Sequence, residues 1–217
     1  MGMNRSDDEF LARYRRHIAE TRTLFSNSQK PERERMVVRA LLRCIGEPFT
    51  DDEIGVGDEE PVDVVFRDAL FQVRDFVAGR KRGVVWRERE ERARNAKRIS
   101  DLKEPWSHSK AMSFDEISQV VVDGMSKKAS RYGVENCSGL DALAYIDLGG
   151  CHLWPLEPIV SDGVKDGLAK QGWRSVSMLF PPFGAVLVAG NDAPGFLRNK
   201  VGLTPKAWPH LNGLFDA

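Results

Sequence analysis

Acidic and basic residues in this chain fall into an order that could do chemistry. Glu32 and Glu34 sit in the opening turns of a helix started by Pro31, Asp63 opens a strand, and Gln72-x-Arg74 lies on the strand that follows. The sequence helix, loop, strand, strand gathers these groups onto one edge of a sheet. A second, basic group runs from Arg80-Lys81-Arg82 through Arg87, Arg89, Arg92, Arg94, Lys97 and Arg98, and a stretch of this kind could track a phosphate backbone. Its plainer alternative is a solvated helix face in which Glu88, Glu90 and Glu91 supply i,i+4 partners, and that alternative is the stronger one. Other chemistry has little support. His17, His108, His152 and His210 are scattered, with no nucleophile and acid in a triad pattern. Gly55-Val56-Gly57 lies among acids that would repel phosphate and reads as a turn. Cys44, Cys137 and Cys151 have no CxxC spacing, which suggests buried thiols and neither a disulfide framework nor a zinc site. Trp173-Arg174-Ser175 could set an aromatic ring and a cation on a nucleic acid, but Trp173 reads better as the start of a buried strand.

At 217 residues, 41% hydrophobic and 29% charged, the chain is too apolar for intrinsic disorder and long enough for a sizeable core. It is read as one domain, 1–217: an N-terminal helix at 1–29, a core at 30–150 carrying a charged helical insertion at 80–103, and a helix, strands and irregular tail at 151–217. Its longest apolar runs are strand-length, so no membrane span is expected. The first residues lack the apolar centre of a signal peptide, which argues for a cytoplasmic protein. Net charge is zero but segregated. Residues 47–63 carry eight acids and no Lys or Arg, whereas 80–103 carry ten Lys and Arg against four acids.

The elements that must position these groups follow from periodicity. Phe10, Leu11, Tyr14, Ile18 and Leu24 recur at helical spacing behind an acidic first turn over about 7–27. Val37, Val38, Leu41, Leu42 and Ile45 form the buried stripe of a second helix that Gly46 ends. Residues 51–60 read as an acidic loop. Residues 61–66 and 70–76 read as a hairpin turning around Arg67-Asp68-Ala69, with opposed residue numbers summing to 137. That register puts Val64, Phe66, Phe71 and Val73 on an apolar face and Asp63, Gln72 and Arg74 on the other. A charged helix spans 84–102. An amphipathic helix spans 113–132, with Ser113 and Glu116 as a capping box. Residues 140–148 read as a strand buried on both faces. Residues 160–171 read as a helix, 173–179 and 185–189 as late strands, and the tail after Asn191 as irregular.

Ordered this way, the chain resembles the PD-(D/E)xK nuclease core. The resemblance implies an α/β, restriction-endonuclease-like fold: a central mixed sheet flanked by helices. In that superfamily a first-helix Glu, an Asp opening the second strand and a Glu-x-Lys or Gln-x-Lys on the third hold a divalent metal and activate water. The matching positions are Glu34, Asp63, Gln72 and Arg74. Glu34 is preferred to Glu32 because Val37, Val38 and Leu41 follow it with the spacing of archaeal Holliday-junction resolvases; Glu32 is the alternative. Gln72 in the first position also resembles Mrr-like restriction enzymes. Hydrolysis of a phosphodiester needs hard oxygen ligands for Mg²⁺ or Mn²⁺, a water activated by the metal, and a cation against developing charge. Asp63, Glu34 and the amide oxygen of Gln72 would be the metal ligands. Arg74 departs from the pattern: it stays protonated, cannot act as a base, and would serve as charge stabiliser. Lys127 or Lys128 could supply a migrated ammonium group, although a solvated pair is the plainer reading.

The whole chain, from about Phe25 to Leu197, also resembles a small bacterial family of unknown function labelled "putative endonuclease". The carriers are Phe25-Ser26-Asn27, Glu32-Arg33-Glu34-Arg35, Pro61 through Ala69, Gln171-Gly172-Trp173-Arg174-Ser175 and Asp192-Ala193-Pro194-Gly195-Phe196-Leu197-Arg198. The resulting expectation is a Mg²⁺-dependent endonuclease acting on DNA, with Arg87, Arg89, Arg94, Lys127 and Lys128 as candidate nucleic-acid contacts. A homodimer is expected because double-strand cutting needs two sites. The alternative is an inactive nuclease fold kept as a nucleic-acid or protein binding module.

Overall fold

The computed structural model describes residues 5–24, 26–77, 82–102, 110–148, 151–154 and 159–204. Phe25, Arg80, Lys81 and the tail beyond Thr204 lie outside them. The chain begins with α1 (Arg5–Leu24) and α2 (Lys30–Ile45), the latter with Pro31 in its first turn and ending at Gly46. Three strands follow: β1 (Ile54–Val56), β2 (Val64–Phe66) and β3 (Ala69–Val77). After them come α3 (Arg82–Asn95), β4 (Lys110–Met112), α4 (Phe114–Tyr132), α5 (Val134–Cys137) and β5 (Asp141–Asp147). The chain continues through β6 (Cys151–Leu153), α6 (Asp162–Ala169), β7 (Ser175–Phe180), β8 (Phe183–Ala189), α7 (Gly195–Arg198) and β9 (Gly202–Thr204).

Seven strands form one mixed sheet in the order β1-β2-β3-β5-β7-β8-β9, and β4 and β6 pair in parallel as a separate ribbon. The strands β1, β2 and β3 form an antiparallel meander, β3, β5 and β7 run parallel, and β8 and β9 return antiparallel. Because β3, β5 and β7 step across the sheet in one direction, right-handed crossovers place their connecting helices on the same face. Accordingly α4 and α6 bury Ile117, Val121, Met125, Val164 and Leu168 against Ala142, Ala144 and Val176. On the opposite face α2 buries Val38, Leu41, Leu42 and Ile45 against Val64, Phe66, Phe71 and Val73. The expected architecture of a mixed sheet between helices therefore stands. Ser113 and Glu116 form the expected capping box at the start of α4, each accepting from the other's backbone N–H.

Helix α2 lies close to the sheet where β8 has no side chain. A Cβ on Gly184 would stand 2.6 Å from Cys44 Cβ and 3.5 Å from Leu41 Cδ1. We expect Gly184→Ala to overpack this contact and destabilise the protein by about 1–3 kcal/mol, read as a lower midpoint in thermal melting. An unchanged midpoint would mean that α2 can slide off the sheet at no cost. The same burial pushes the Cys44 thiol up to about 11, in keeping with an inert core cysteine.

Several local expectations need correction. The acidic loop contains β1, and Gly55-Val56 belongs to that strand and not to a turn. Ile54, only 1% exposed, anchors it. The tail after Asn191 contains α7 and β9. The hairpin turns through two residues, Arg67 and Asp68, so its opposed numbers sum to 135: Val64 pairs with Phe71, and Phe66 with Ala69. A slip of two residues preserves the faces, since side chains alternate with period two. It does change partners, setting Asp63 opposite Gln72 and not opposite Arg74. The tight turn needs a positive φ, and Arg67 adopts φ 52° without being glycine. Its guanidinium is held by Glu47 (2.6 Å), Glu53 (3.1 Å) and the Pro48 carbonyl (2.9 Å), and it lies over the Phe66 ring. The acidic segment thus fixes the turn.

The charged helix α3 packs on α1. Arg15 donates to the carbonyls of Ala93 and Ala96 at 2.9 and 2.7 Å, and Arg22 pairs with Glu90. Among the described residues, no helix is long and apolar enough to cross a membrane.

Candidate active site

Strand β2 begins at Val64, so β3 loses its β2 neighbour beyond Phe71 while it continues beside β5 to Val77. The sheet forks at Asp63. Its backbone still follows the hairpin, donating N–H to the Phe71 carbonyl at 2.9 Å and accepting at its own carbonyl from Gly57 N–H at 3.0 Å. Its side chain fills the fork. Asp63 Oδ2 accepts from the Val73 N–H at 2.9 Å and from Gln72 Nε2, satisfying a backbone donor that the missing strand would otherwise pair.

Helix α2 delivers the second carboxylate. Glu34 is only 7% exposed, and Lys30, one turn earlier on the same helix face, bridges it to Asp63. The Lys30 Nζ lies 3.0 Å from Glu34 Oε1 and 2.9 Å from Asp63 Oδ1. Burial pushes the Glu34 carboxyl above its ordinary value; the Lys30 hydrogen bond opposes that, and the neighbouring Asp63 charge adds to it. Burial pulls the Lys30 ammonium down, but hydrogen bonds and charge from Asp63 and Glu34 outweigh it and leave Lys30 above the ordinary lysine value. Lys30 therefore stays protonated. A carboxyl raised by folding contributes stability below its unfolded pKa, and that contribution is lost as pH rises through the folded value. Removing the partner that lowers it, by Lys30→Met, should move the Glu34 titration to still higher pH in a carbon-detected NMR titration. A midpoint that stayed put or fell would mean that Lys30 does not hold the pair in solution.

Gln72 completes the group. It is 5% exposed; its Nε2 faces Asp63, and its Oε1 is buried with no hydrogen-bond partner. A buried amide oxygen without a donor has spare acceptor capacity. The donor set fits a hard cation: two carboxylates and one amide oxygen. Among the described residues there is no cluster of three or more His, Cys, Asp or Glu that could hold a metal, so the amide would have to serve as a ligand.

Asp63 thus meets Gln72 directly and is linked to Glu34 through Lys30. Glu32 is not with them, being paired with Arg35 at 3.0 Å and Arg39 at 2.7 Å. Arg74 lies two residues beyond Gln72 on the same face of β3, exposed, and lines a cleft with Lys127, Lys128 and Arg131 of α4. Arg87, Arg89 and Arg94 belong to neither group. They sit on α3, with Arg89 over the Trp86 ring and Arg94 3.7 Å from Glu90. Sequence reasoning missed Lys30 and Arg131. Helical spacing could have found both, since Lys30 is at i−4 from Glu34 and Arg131 at i+4 from Lys127.

A family described as "Putative endonuclease, protein of unknown function (DUF1780)" matches residues 6–207. The chain belongs to this family. Among curated proteins none matches. One solved structure is similar over 92% of this chain and 93% of its own, at 25% identity and TM-score 0.60. It is a protein of unknown function from Pseudomonas aeruginosa strain PAO1, described as belonging to the monooxygenase superfamily and not as a restriction-endonuclease-like protein.

Proposed function

We propose that this member of the family is a metal-dependent endonuclease that hydrolyses phosphodiester bonds in DNA on a PD-(D/E)xK core. The observation that carries the reading is Asp63 at the sheet fork, which meets the Gln72 side-chain amide directly and Glu34 through the Lys30 ammonium, with the Gln72 oxygen left unpartnered. The order α2, β1, β2, β3, then α4 and β5 after the intervening α3 and β4, with β3 and β5 parallel, supports the assignment of the core. Asp63, Glu34 and Gln72 would hold Mg²⁺ or Mn²⁺. Such an ion supplies a water of lowered pKa and neutralises charge on the phosphoryl oxygens.

The remaining steps fall to the chain's own groups. Lys30 joins the buried Glu34 carboxylate to the part-buried Asp63 carboxylate and presents an ammonium that is protonated throughout. Arg74 cannot take a proton from water and instead offers fixed N–H donors to a phosphate oxygen. The fork excludes a strand partner and leaves Asp63 12% exposed at its side chain, enough for access from solvent. Cutting both strands of a duplex would require two such sites, so a homodimer belongs to the proposal.

A second reading has its own observation. Lys30 already neutralises part of the carboxylate pair, and Arg stands at 74 where the nuclease pattern has Lys, an arrangement suited to an inactive fold that binds nucleic acid. Incubation of supercoiled plasmid with wild-type protein and Mg²⁺ or Mn²⁺ separates the two. Nicking that requires Asp63 supports the endonuclease; binding without nicking supports the second reading.

A further inference from the structure

Gln72 and Arg74 point to the same face of β3 and are separated by two residues, about 6.6 Å along a strand. The cleft lined by Arg74 therefore adjoins Gln72 and its partner Asp63 at the fork, whereas Lys30 and Glu34 reach Asp63 from α2 on the other face of the sheet. It has a volume of about 360 Å³ and is walled by Arg74, Lys127, Lys128 and Arg131 over a floor of Phe76 and Gly124. None of these six residues is acidic. Gly124 makes the floor: a Cβ there would stand 1.8 Å from Phe76 Cε1, so only glycine lets the ring lie against α4. Across the sheet Arg74 pairs with Ala144, and Gln72 with Ala142, so no large side chain from β5 fills the space between them.

Three of the cations lie in the last turns of α4. A helix C-terminus carries only about half a negative charge, so three full positive charges exceed what the dipole requires and the cleft is left cationic. Lys128 donates to the Tyr132 hydroxyl at 2.9 Å, which orders its ammonium at the rim.

Resting on the endonuclease reading, we propose that this cleft binds the phosphate next to the one attacked, so that the substrate is a polynucleotide strand running along β3 from the fork into the cleft. The step from Gln72 to Arg74 is comparable to the separation of successive phosphates along a strand. Arg131, with Lys127, contacts the flanking phosphodiester, and Phe76 gives an apolar surface beside it.

The test is fluorescence anisotropy of labelled single- and double-stranded DNA 20-mers in EDTA, across a salt series. Lys127→Gln/Arg131→Gln is compared with Lys170→Gln/Lys200→Gln, which removes the same charge from exposed positions outside the cleft. Each lost phosphate contact lowers the salt slope by roughly 0.7–0.9. The cleft variant should therefore bind on the order of tenfold more weakly at 0.1 M salt, with a slope about 1.5 smaller, while the control binds as wild type. Equal loss in both variants, no loss in the cleft variant, or no DNA binding by wild type would overturn the proposal. So would binding of inorganic phosphate, by calorimetry, without binding of DNA. Plasmid nicking run in parallel separates the two claims. Wild-type nicking with unaltered binding by the cleft variant sinks the cleft alone, and cleft-dependent binding with no nicking sinks the endonuclease reading alone.

Discussion

Replacement of Asp63 by Ala is expected to slow DNA cleavage by roughly 10³-fold or more. Charge stabilisation by a divalent ion contributes several kcal/mol to a phosphoryl transition state, and each tenfold in rate corresponds to about 1.36 kcal/mol. Asp63 carries this expectation because it links the site: it holds Gln72 and the Val73 N–H through Oδ2 and Lys30 through Oδ1, and Lys30 in turn holds Glu34. The same contacts mean that Ala also removes the acceptor of a backbone donor at the fork, a loss of about 1–3 kcal/mol in stability. Asp63→Asn separates the two effects. Its amide oxygen can still accept from Val73 N–H, so the fold should melt near wild type while cleavage is lost. Cleavage that survived in a folded Asp63→Asn protein would place the chemistry elsewhere.

The second large effect is structural. Asp141, at the start of β5, is completely buried and accepts from the Leu70 N–H at 3.0 Å and the Ser175 hydroxyl at 2.7 Å. It also pairs with the Arg174 guanidinium, which in turn donates to the Asp68 carbonyl at 2.9 Å. This carboxylate ties the starts of β3, β5 and β7 together at one end of the sheet. Asp141→Ala leaves a guanidinium only 15% exposed at its side chain without a counter-charge and strands two further donors. Breaking a buried pair from one side costs about 3–5 kcal/mol, and a chain of this size loses about 2–4 °C in Tm for each kcal/mol. A fall on the order of 10 °C by calorimetry is the expected result. Asp141→Ala/Arg174→Ala should recover part of it, because both charges are then absent. A single variant melting within a degree or two of wild type would show that the sheet end is held by packing alone.

Much of this was readable from local signals. The apolar stripe of α2, the Ser113–Glu116 box and the uninterrupted apolar run of β5 each state their structure within a few residues. Glu34, Asp63 and Gln72 could be chosen because the order of elements places them together, and alternation set both faces of the hairpin. The register was not readable. It depends on Arg67 holding a positive φ, and what stabilises that conformation is Glu47 and Glu53, some twenty and fourteen positions earlier in the chain. Three-residue β1 was hidden for a related reason: two of its residues are exposed, so no alternation marks it. At the site, attention to Lys127 and Lys128 as sources of an ammonium overlooked Lys30, which reaches Asp63 only because the sheet opens there. The basic run at 80–103 could by composition track a phosphate backbone, or more readily form a solvated helix face. In the fold, its helix α3 is largely a partner for α1, and the cleft at Arg74 and Arg131 gathers cations from segments more than fifty residues apart.

The most direct measurement is divalent-metal binding by isothermal calorimetry, with Mg²⁺ and Mn²⁺, on wild-type protein and on Asp63→Ala. Binding by wild type that is lost with Asp63 is the expected result, accompanied by plasmid nicking in wild type alone. Failure of the wild-type protein to bind either ion, or equal binding by both proteins, would contradict a metal site at the sheet fork.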